Sequence, residues 1–427
     1  MPNRILSKFV VAIPKNEKIV LFNTKNAKTI SIPESIYTNG EYLENRLTYN
    51  LLQKEEFLED KFEIYNIKNN NLVGEKTLRI IILIHENCNF RCVYCYEKFK
   101  KGLIKEDVFK AICLFIQKEL RTHKFKKLAV GWFGGEPLLG IRKIEQMSTQ
   151  LIKLADEYKV EYISHITTNG YLLNRRNHTI LQNVSVSDYQ ITIDGMLDYH
   201  DKQRKLINGQ GTFKVIWNNL INLSKASSNF TVTIRANVSG ENINNMNRLI
   251  DSFKKDFGND KRFRLYFVNV NYWSKNNIST ILKRDIRAEL FEKAIAKNVS
   301  VMNMKAFINP CAICYAAYEN SYVFGSDGLV YKCTVALYDK RNIIGKILND
   351  GTVLISQSKH NLWLKDISIK ENKKCFNCQI LPICRGNQCP YKNIQKNTNV
   401  CPPTKKSLEK YIKIFLKQEK CDYEITF

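Results

Sequence analysis

Three cysteines fall within eight residues, in the run Cys88-Asn89-Phe90-Arg91-Cys92-Val93-Tyr94-Cys95. A thiolate is a soft anionic ligand, and three of them spaced x3 and x2 can each take a different iron of a cubane cluster. A cubane has four irons, so one stays open to a small molecule, as a catalytic zinc keeps a vacant position. The competing chemistry is a zinc site, which wants a fourth ligand close by; the nearest candidate is His85, on a strand-like run. Cysteines become dense again beyond residue 310, at Cys311, Cys314, Cys333, Cys375, Cys378, Cys384, Cys389 and Cys401. The amino terminus offers no signal-peptide core, so a cytoplasmic, reducing location is expected, where clustered thiols serve as ligands rather than as disulfides.

These residues must be held by a folded scaffold. The 427 residues are 44% apolar and include 22 Phe and 21 Tyr, which excludes a disordered chain. No apolar run approaches the roughly 20 residues of a membrane span. Three β-type runs, at residues 9–13, 19–23 and 29–32, precede a helical pattern over 41–60 and an Asn-rich stretch at 66–71 that reads as a linker. From Leu78 short β-rich runs alternate with amphipathic helical ones, the strands expected at 79–85, 127–133, 162–168, 189–193, 231–238 and 264–270. Repeated β-then-α units favour a parallel sheet, either doubly wound or an incomplete barrel, and in both the carboxyl ends of the strands build the site. The Cys88 loop follows the first of these strands directly. Past residue 305 the alternation stops, with strands expected at 321–324 and 329–333 and a basic helix carrying Leu408, Tyr411, Ile412 and Phe415.

The C-x3-C-x2-C loop after the first strand, with an aromatic before its last cysteine, resembles that of the radical S-adenosylmethionine enzymes. Gly134-Gly135-Glu136-Pro137 at the end of the second strand resembles the family's GGEP segment, whose backbone and carboxylate hold the methionine ammonium group. Thr167-Thr168-Asn169-Gly170, Thr192-Ile193-Asp194-Gly195 and His200-Asp201-x-x-Arg204 follow in order. The resemblance implies Tyr94 by the adenine, Thr192 by the ribose and Arg204 by the carboxylate of S-adenosylmethionine, with Asn169 and Asp194 also at the cofactor. A guanidinium suits a carboxylate because it can pair bidentately.

The later cysteines, with Gly328-x4-Cys333 and Cys375-x2-Cys378-x5-Cys384-x4-Cys389, resemble the SPASM extension. Family precedent then gives Cys311, Cys314, Cys333 and Cys389 to one auxiliary four-iron cluster and Cys375, Cys378, Cys384 and Cys401 to another. Two intervals depart from the pattern: x4 before Cys389, and the closeness of Cys311 to Cys314. With the first cluster this makes three [4Fe-4S] clusters, and only Cys113 and Cys421 of the 13 cysteines are left, as packing or surface thiols. The implied architecture is α/β: a partial (β/α)6 barrel over 75–305, a small α+β module over 1–74 and a SPASM domain over 306–427.

The cofactor implies a 5′-deoxyadenosyl radical that takes a hydrogen from an unactivated carbon, and the extension implies a peptide or protein substrate. The layout of residues 1–74 resembles the leader-peptide recognition element of ribosomal-peptide maturases, which adds a peptide as an extra strand. The expected function is therefore a maturase installing a thioether crosslink in a precursor peptide, with flavodoxin or ferredoxin as electron donor. Carbon–carbon crosslinking or epimerisation stays open. Anaerobic sulfatase maturation is disfavoured because Thr334 stands where those enzymes place an aspartate after the cysteine. The net charge of +25 would suit a tRNA-modifying enzyme. The basic residues are dispersed, however, and divide as +1 over 1–74, +16 over 75–310 and +8 over 311–427, which favours a solvated basic surface and no nucleic acid.

Overall fold

The computed structural model describes residues 6–59, 76–269, 285–310, 313–364, 373–386, 388–398 and 400–425. The expected linker at 66–71 and Cys311 lie outside these. The chain forms two compact units, each built from separated segments: Met1–Gly74, Asn303–Tyr318 and Leu364–Phe427 in one, Glu75–Met302 and Glu319–Trp363 in the other.

In the first unit β1 (Val10–Lys15), β2 (Lys18–Asn23) and β3 (Thr29–Pro33) form an antiparallel meander. β-Branched and aromatic residues drive it, with Val20, Leu21, Phe22, Ile30 and Ile32 buried. The helix Arg46–Lys54 follows, capped by the Asn45 side chain, which accepts from the Leu47 and Thr48 amides.

The second unit is organised by one long sheet. Its parallel strands are β4 (Thr77–His85), β5 (Lys127–Gly134), β6 (Glu161–Thr168), β7 (Val186–Thr192), β8 (Thr231–Val238) and β9 (Phe263–Asn269). They pair in chain order with helical crossovers between them, the parallel core of a partial barrel. Four further strands extend the same sheet beyond β4: β10 (Ser321–Phe324), parallel to β4, then β11 (Leu329–Tyr331), β12 (Ile343–Ile347) and β13 (Val353–Ile355), antiparallel. Alternation separates the faces. Leu78, Ile80, Leu128, Val130, Trp132, Val232 and Ile234 are fully buried, while His165, Arg235 and Asn237 keep some exposure on the other.

Back in the first unit, β14 (Tyr423–Glu424) pairs with β3 in parallel, and the helix Leu408–Gln418 packs by Phe415 edge-on to Phe22 at 6.0 Å. The fold is held by such aromatic contacts. In the second unit Phe263 on β9 stacks on Phe257 at 4.7 Å and meets Phe230 edge-on, all nearly inaccessible to solvent. Phe263→Ala should cost about 3–5 kcal/mol of stability, read from denaturant unfolding. A cost under about 1 kcal/mol would show that this cluster does not hold β9 to its helix.

Candidate active site

The carboxyl ends of β4 to β8 bring the sequence-predicted residues of the second unit to one edge of the sheet. β4 runs into the Cys88–Cys95 loop, which is tied down by its backbone: the Arg91 amide donates to Lys205 O at 2.8 Å and the Val93 amide to Gln203 O at 3.0 Å. The loop therefore lies against the end of the helix Leu197–Gln203. Its other neighbour is the glycine pair ending β5. Gly134 has φ +130°, and a Cβ there would stand 2.3 Å from His85 O; one on Gly135 would stand 2.6 Å from Asn87 O. Only glycine lets the two backbones meet, through bonds from the Gly135 amide to His85 O and from the Glu136 amide to Asn87 O, both 3.0 Å.

Glu136 is wholly buried. Its carboxylate accepts from the Leu138 amide (2.9 Å), Thr168 Oγ1 (2.6 Å) and the Asn169 amide (2.7 Å), so it joins β5 to β6. Burial pushes its pKa up, and those three bonds pull against the rise. Pro137 opens the short 3-10 turn that follows. The Asn169 side chain turns back to the cysteine loop, donating to Asn89 Oδ1 at 2.8 Å and lying 3.8 Å from Cys88 Sγ.

The second knot is a half-buried phenol. Tyr94 donates its hydroxyl to Asp194 Oδ2 and accepts from Arg204 Nη1 at 2.7 Å. Asp194 Oδ1 accepts from Asn237 Nδ2 at 3.0 Å, while Thr192, which ends β7, pairs with Arg235 on β8. Burial raises the Asp194 pKa, opposed by Arg204, Tyr94 and Asn237. Arg204 keeps its Nε buried without a hydrogen-bond partner, a donor left for a further acceptor. Its guanidinium also stands 5.6 Å from the Phe90 ring.

Sequence reasoning named neither Asn237 nor His200 as a site residue. Asn237 is the penultimate residue of β8, with no motif of its own. His200 was visible only as the first residue of the His-Asp-x-x-Arg run. It is fully buried; its Nδ1 faces the Asp194 amide at 3.3 Å and its Nε2 the Thr212 hydroxyl at 3.1 Å, which itself donates to Arg204 O at 2.7 Å. That set fits the neutral Nε2–H tautomer: Nδ1 accepts and Nε2 donates.

The three loop thiols interact electrostatically. Burial, Glu136 and Cys92 push Cys88 up to about 12, and burial, aided by Cys92 and Glu97, pushes Cys95 up to about 11. Bare thiolates are thus disfavoured here, and a bound cationic iron is what would stabilise them. Among the described residues no three His, Cys, Asp or Glu side chains converge on a single-ion site. Tyr96 stands near both Cys95 and Cys333; burial first, then Glu97 and these two thiols, hold its hydroxyl well above the ordinary range. Glu97, half-buried beside the buried Glu86, is pushed up to about 7, and its Oε2 accepts from the Tyr338 hydroxyl at 3.4 Å.

A separate group of thiols occupies the first unit. Burial and then Cys378, Cys375 and Cys401 push Cys384 up to about 11, so these four are neighbours. The Lys405 ammonium lies 3.9 Å from Cys401 Sγ. Phe9 and Leu381 pack together with Cys375 and Cys378 against them, and Thr24 Oγ1 donates to Gln379 O at 2.8 Å, so β1 and β2 brace this group. The Cys314 amide donates to Gln388 O at 3.0 Å, beside Cys389.

Residues 82–253 match the Radical SAM superfamily. The sequence is similar to the radical SAM cyclopropyl synthase TigE of Paramaledivibacter caminithermalis, at 22% identity over 90% of this chain and 89% of that one. It is also similar to the cysteine-type anaerobic sulfatase-maturating enzyme of Clostridium novyi, at 25% identity over 70% and 84%. In fold it resembles the crystal structure of Streptococcus suis SuiB bound to precursor peptide SuiA, with a TM-score of 0.51 at 15% identity, covering 93% of this chain and 98% of that one.

Burial holds the His200 pKa well below its ordinary value, helped by Arg204. The unfolded chain therefore binds a proton below about pH 6.5 that the folded chain refuses, and stability falls as pH falls by up to about 1.4 kcal/mol per unit. Between pH 7 and 5.5 the wild type should lose about 1 kcal/mol more than His200→Asn, measured by urea unfolding. Equal losses in the two proteins would mean that the imidazole takes up its proton freely in the fold.

Proposed function

Taking as premise that residues 82–253 are a radical SAM domain and that the chain is an enzyme of that superfamily, we propose that it matures a precursor peptide by forming a thioether crosslink. A radical SAM domain implies S-adenosylmethionine and one [4Fe-4S] cluster, and Cys88, Cys92 and Cys95 are the ligands we assign to it. The donor set suits a cluster, since each thiolate needs a different iron and the three need not meet at one point. When bound, these groups supply a 5′-deoxyadenosyl radical able to take a hydrogen atom from an unactivated carbon.

The observation that carries the cofactor assignment is the unspent, buried Nε of Arg204, a charged donor at the sheet edge aimed at no protein acceptor. It would take the cofactor's carboxylate. Tyr94 and Asp194 orient that guanidinium, and Gly134, Gly135 and Pro137 shape the backbone beside the cysteine loop. Glu136, already accepting three protein bonds, fixes Asn169 and the turn around the ammonium group. Thr192, at the mouth of β7, would reach the ribose. The site's burial excludes water from a reactive radical.

The auxiliary assignments are those the SPASM resemblance implies: Cys375, Cys378, Cys384 and Cys401 for one cluster, and Cys311, Cys314, Cys333 and Cys389 for the other. A flavodoxin or ferredoxin would deliver the electrons. The likeness to SuiB bound to its precursor peptide, spread over 93% of the chain, supports a precursor peptide as substrate, and residues 1–74 are the recognition module that their layout implies. The relation to TigE favours a second reading, carbon–carbon ring closure within the peptide, since it too spans nearly the whole chain.

Both readings remove two hydrogens, so the precursor encoded beside the gene should lose about two mass units after anaerobic turnover. Iodoacetamide separates them. A thioether consumes one alkylatable thiol per crosslink, whereas carbon–carbon closure consumes none; an unchanged precursor mass would contradict both. Arg204→Lys should weaken S-adenosylmethionine binding by about tenfold or more, because an ammonium cannot offer the Nε donor while keeping the bond to Tyr94. Unchanged cofactor affinity would remove Arg204 from the assigned role.

A further inference from the structure

Residues 89–93 of the cysteine loop run antiparallel to residues 203–207 at the end of the helix Leu197–Gln203. Phe90 bridges to Leu206, and amide-to-carbonyl bonds tie Arg91 to Lys205 (2.8 Å), Val93 to Gln203 (3.0 Å) and Ile207 to Asn89 (3.1 Å). Successive side chains on such a ribbon leave by opposite faces. Phe90 and Arg204 turn inward and are buried. Arg91, Val93, Lys205 and Ile207 turn outward, and all four are exposed.

The outward face is both apolar and basic. Val93 is 66% and Ile207 61% exposed; among the large hydrophobics of the described residues only Leu47 is more so. The charges beside them are unspent. Arg91 Nη1 donates to Cys88 O and Phe90 O, both at 2.7 Å, which fixes its guanidinium on the loop without neutralising it. Arg91, Lys205 and the exposed Lys202 of the adjoining helix make no ion pair among the described residues. The carboxylates of that helix are engaged elsewhere, Asp198 with Arg248 and Asp201 with the Thr212 and Phe213 amides. An exposed apolar patch rimmed by charge marks a docking surface.

We propose that this face is where an acidic one-electron carrier protein docks to deliver the electron that cleavage of S-adenosylmethionine consumes. Each cleavage breaks one carbon–sulfur bond of the sulfonium and yields methionine and the 5′-deoxyadenosyl radical, while the carrier is oxidised by one electron. The role rests on assigning the cluster to Cys88, Cys92 and Cys95; the face itself does not. Val93 follows Cys92 directly, so a protein seated on it stands one residue from a ligand. Unpaired basic groups steer an acidic partner to the face and speed its arrival. A second copy of this chain, at +25, would meet repulsion there.

The test compares an acidic flavodoxin, reduced to its hydroquinone, with dithionite as reductant for the reconstituted full chain. Lys202→Glu/Ile207→Asp should lower 5′-deoxyadenosine formation with limiting flavodoxin about tenfold and leave the dithionite-supported rate unchanged. Binding of oxidised flavodoxin, read by the anisotropy of its flavin, should weaken by about the same factor, and in the wild type should weaken as salt rises from about 50 to about 300 mM. Lys153→Glu/Lys255→Glu, at exposed positions on other helices, should alter neither. Should the double variant not fold by circular dichroism, Lys202→Glu alone should still cost about threefold in the flavodoxin-supported rate. Flavodoxin-supported rates and affinities equal to those of the wild type would overturn the proposal, as would a dithionite-supported rate that falls in step. Precursor binding lost while flavodoxin binding persists would give the face to the peptide instead. Flavodoxin bound at this face by a wild type that forms no 5′-deoxyadenosine with dithionite would remove the cluster assignment and leave the face.

Discussion

One phenol shared between a carboxylate and a guanidinium holds the site together. Tyr94 donates a hydrogen bond to Asp194 and accepts one from Arg204, with Asp194 and Arg204 buried and the Tyr94 ring half-buried over them. Removing one partner of a buried charged network leaves the others uncompensated, typically at a cost of about 3–5 kcal/mol. The constraint therefore reaches well beyond three residues. Tyr94 belongs to the cysteine loop, Asp194 to the end of β7, Arg204 to the residue after a short helix and Asn237 to β8; the knot cannot close unless all four elements are in register.

Glu136 does for β5 and β6 what Asp194 does for β7 and β8. Each is a buried carboxylate whose desolvation is offset by donors from a neighbouring strand end. Between the two knots lies the cysteine loop, pinned on one side by the glycine pair and on the other by the backbone of residues 203–205. Three thiols are thus presented on a backbone with little freedom. The high thiol pKa values at Cys88 and Cys95 have the same source: a dry site asks for a cation to be present before it will hold thiolates.

Much of this was legible in the sequence because it is local. The six parallel strands fell within a few residues of the expected runs, since a β-rich run followed by an amphipathic helix marks itself. The Cys88 loop stood out by its spacing, and the Gly-Gly-Glu-Pro turn by its resemblance to the family's segment. What could not be read was pairing between distant segments. Nothing in Ser321–Phe324 announces that it will lie beside Ile80–Ile82, and nothing in Asp422–Ile425 announces Thr29. Asn237 was missed for a similar reason: its role is set by Asp194, 43 residues earlier, and an asparagine near a strand end looks like any loop residue. The grouping of Cys375, Cys378, Cys384 and Cys401 came from family precedent rather than from geometry, because nothing local in the sequence says which thiols meet.

The proposed chemistry turns on loop thiols that would hold a cluster able to cleave S-adenosylmethionine. The direct measurement is 5′-deoxyadenosine formed under anaerobic, reducing conditions by the reconstituted chain, compared with Cys88→Ala/Cys92→Ala/Cys95→Ala, quantified by chromatography with mass detection. The wild type should form 5′-deoxyadenosine steadily, and the triple variant, whose remaining thiols still bind iron, none above background. Equal product from both, or none from a fully iron-loaded wild type, would contradict it.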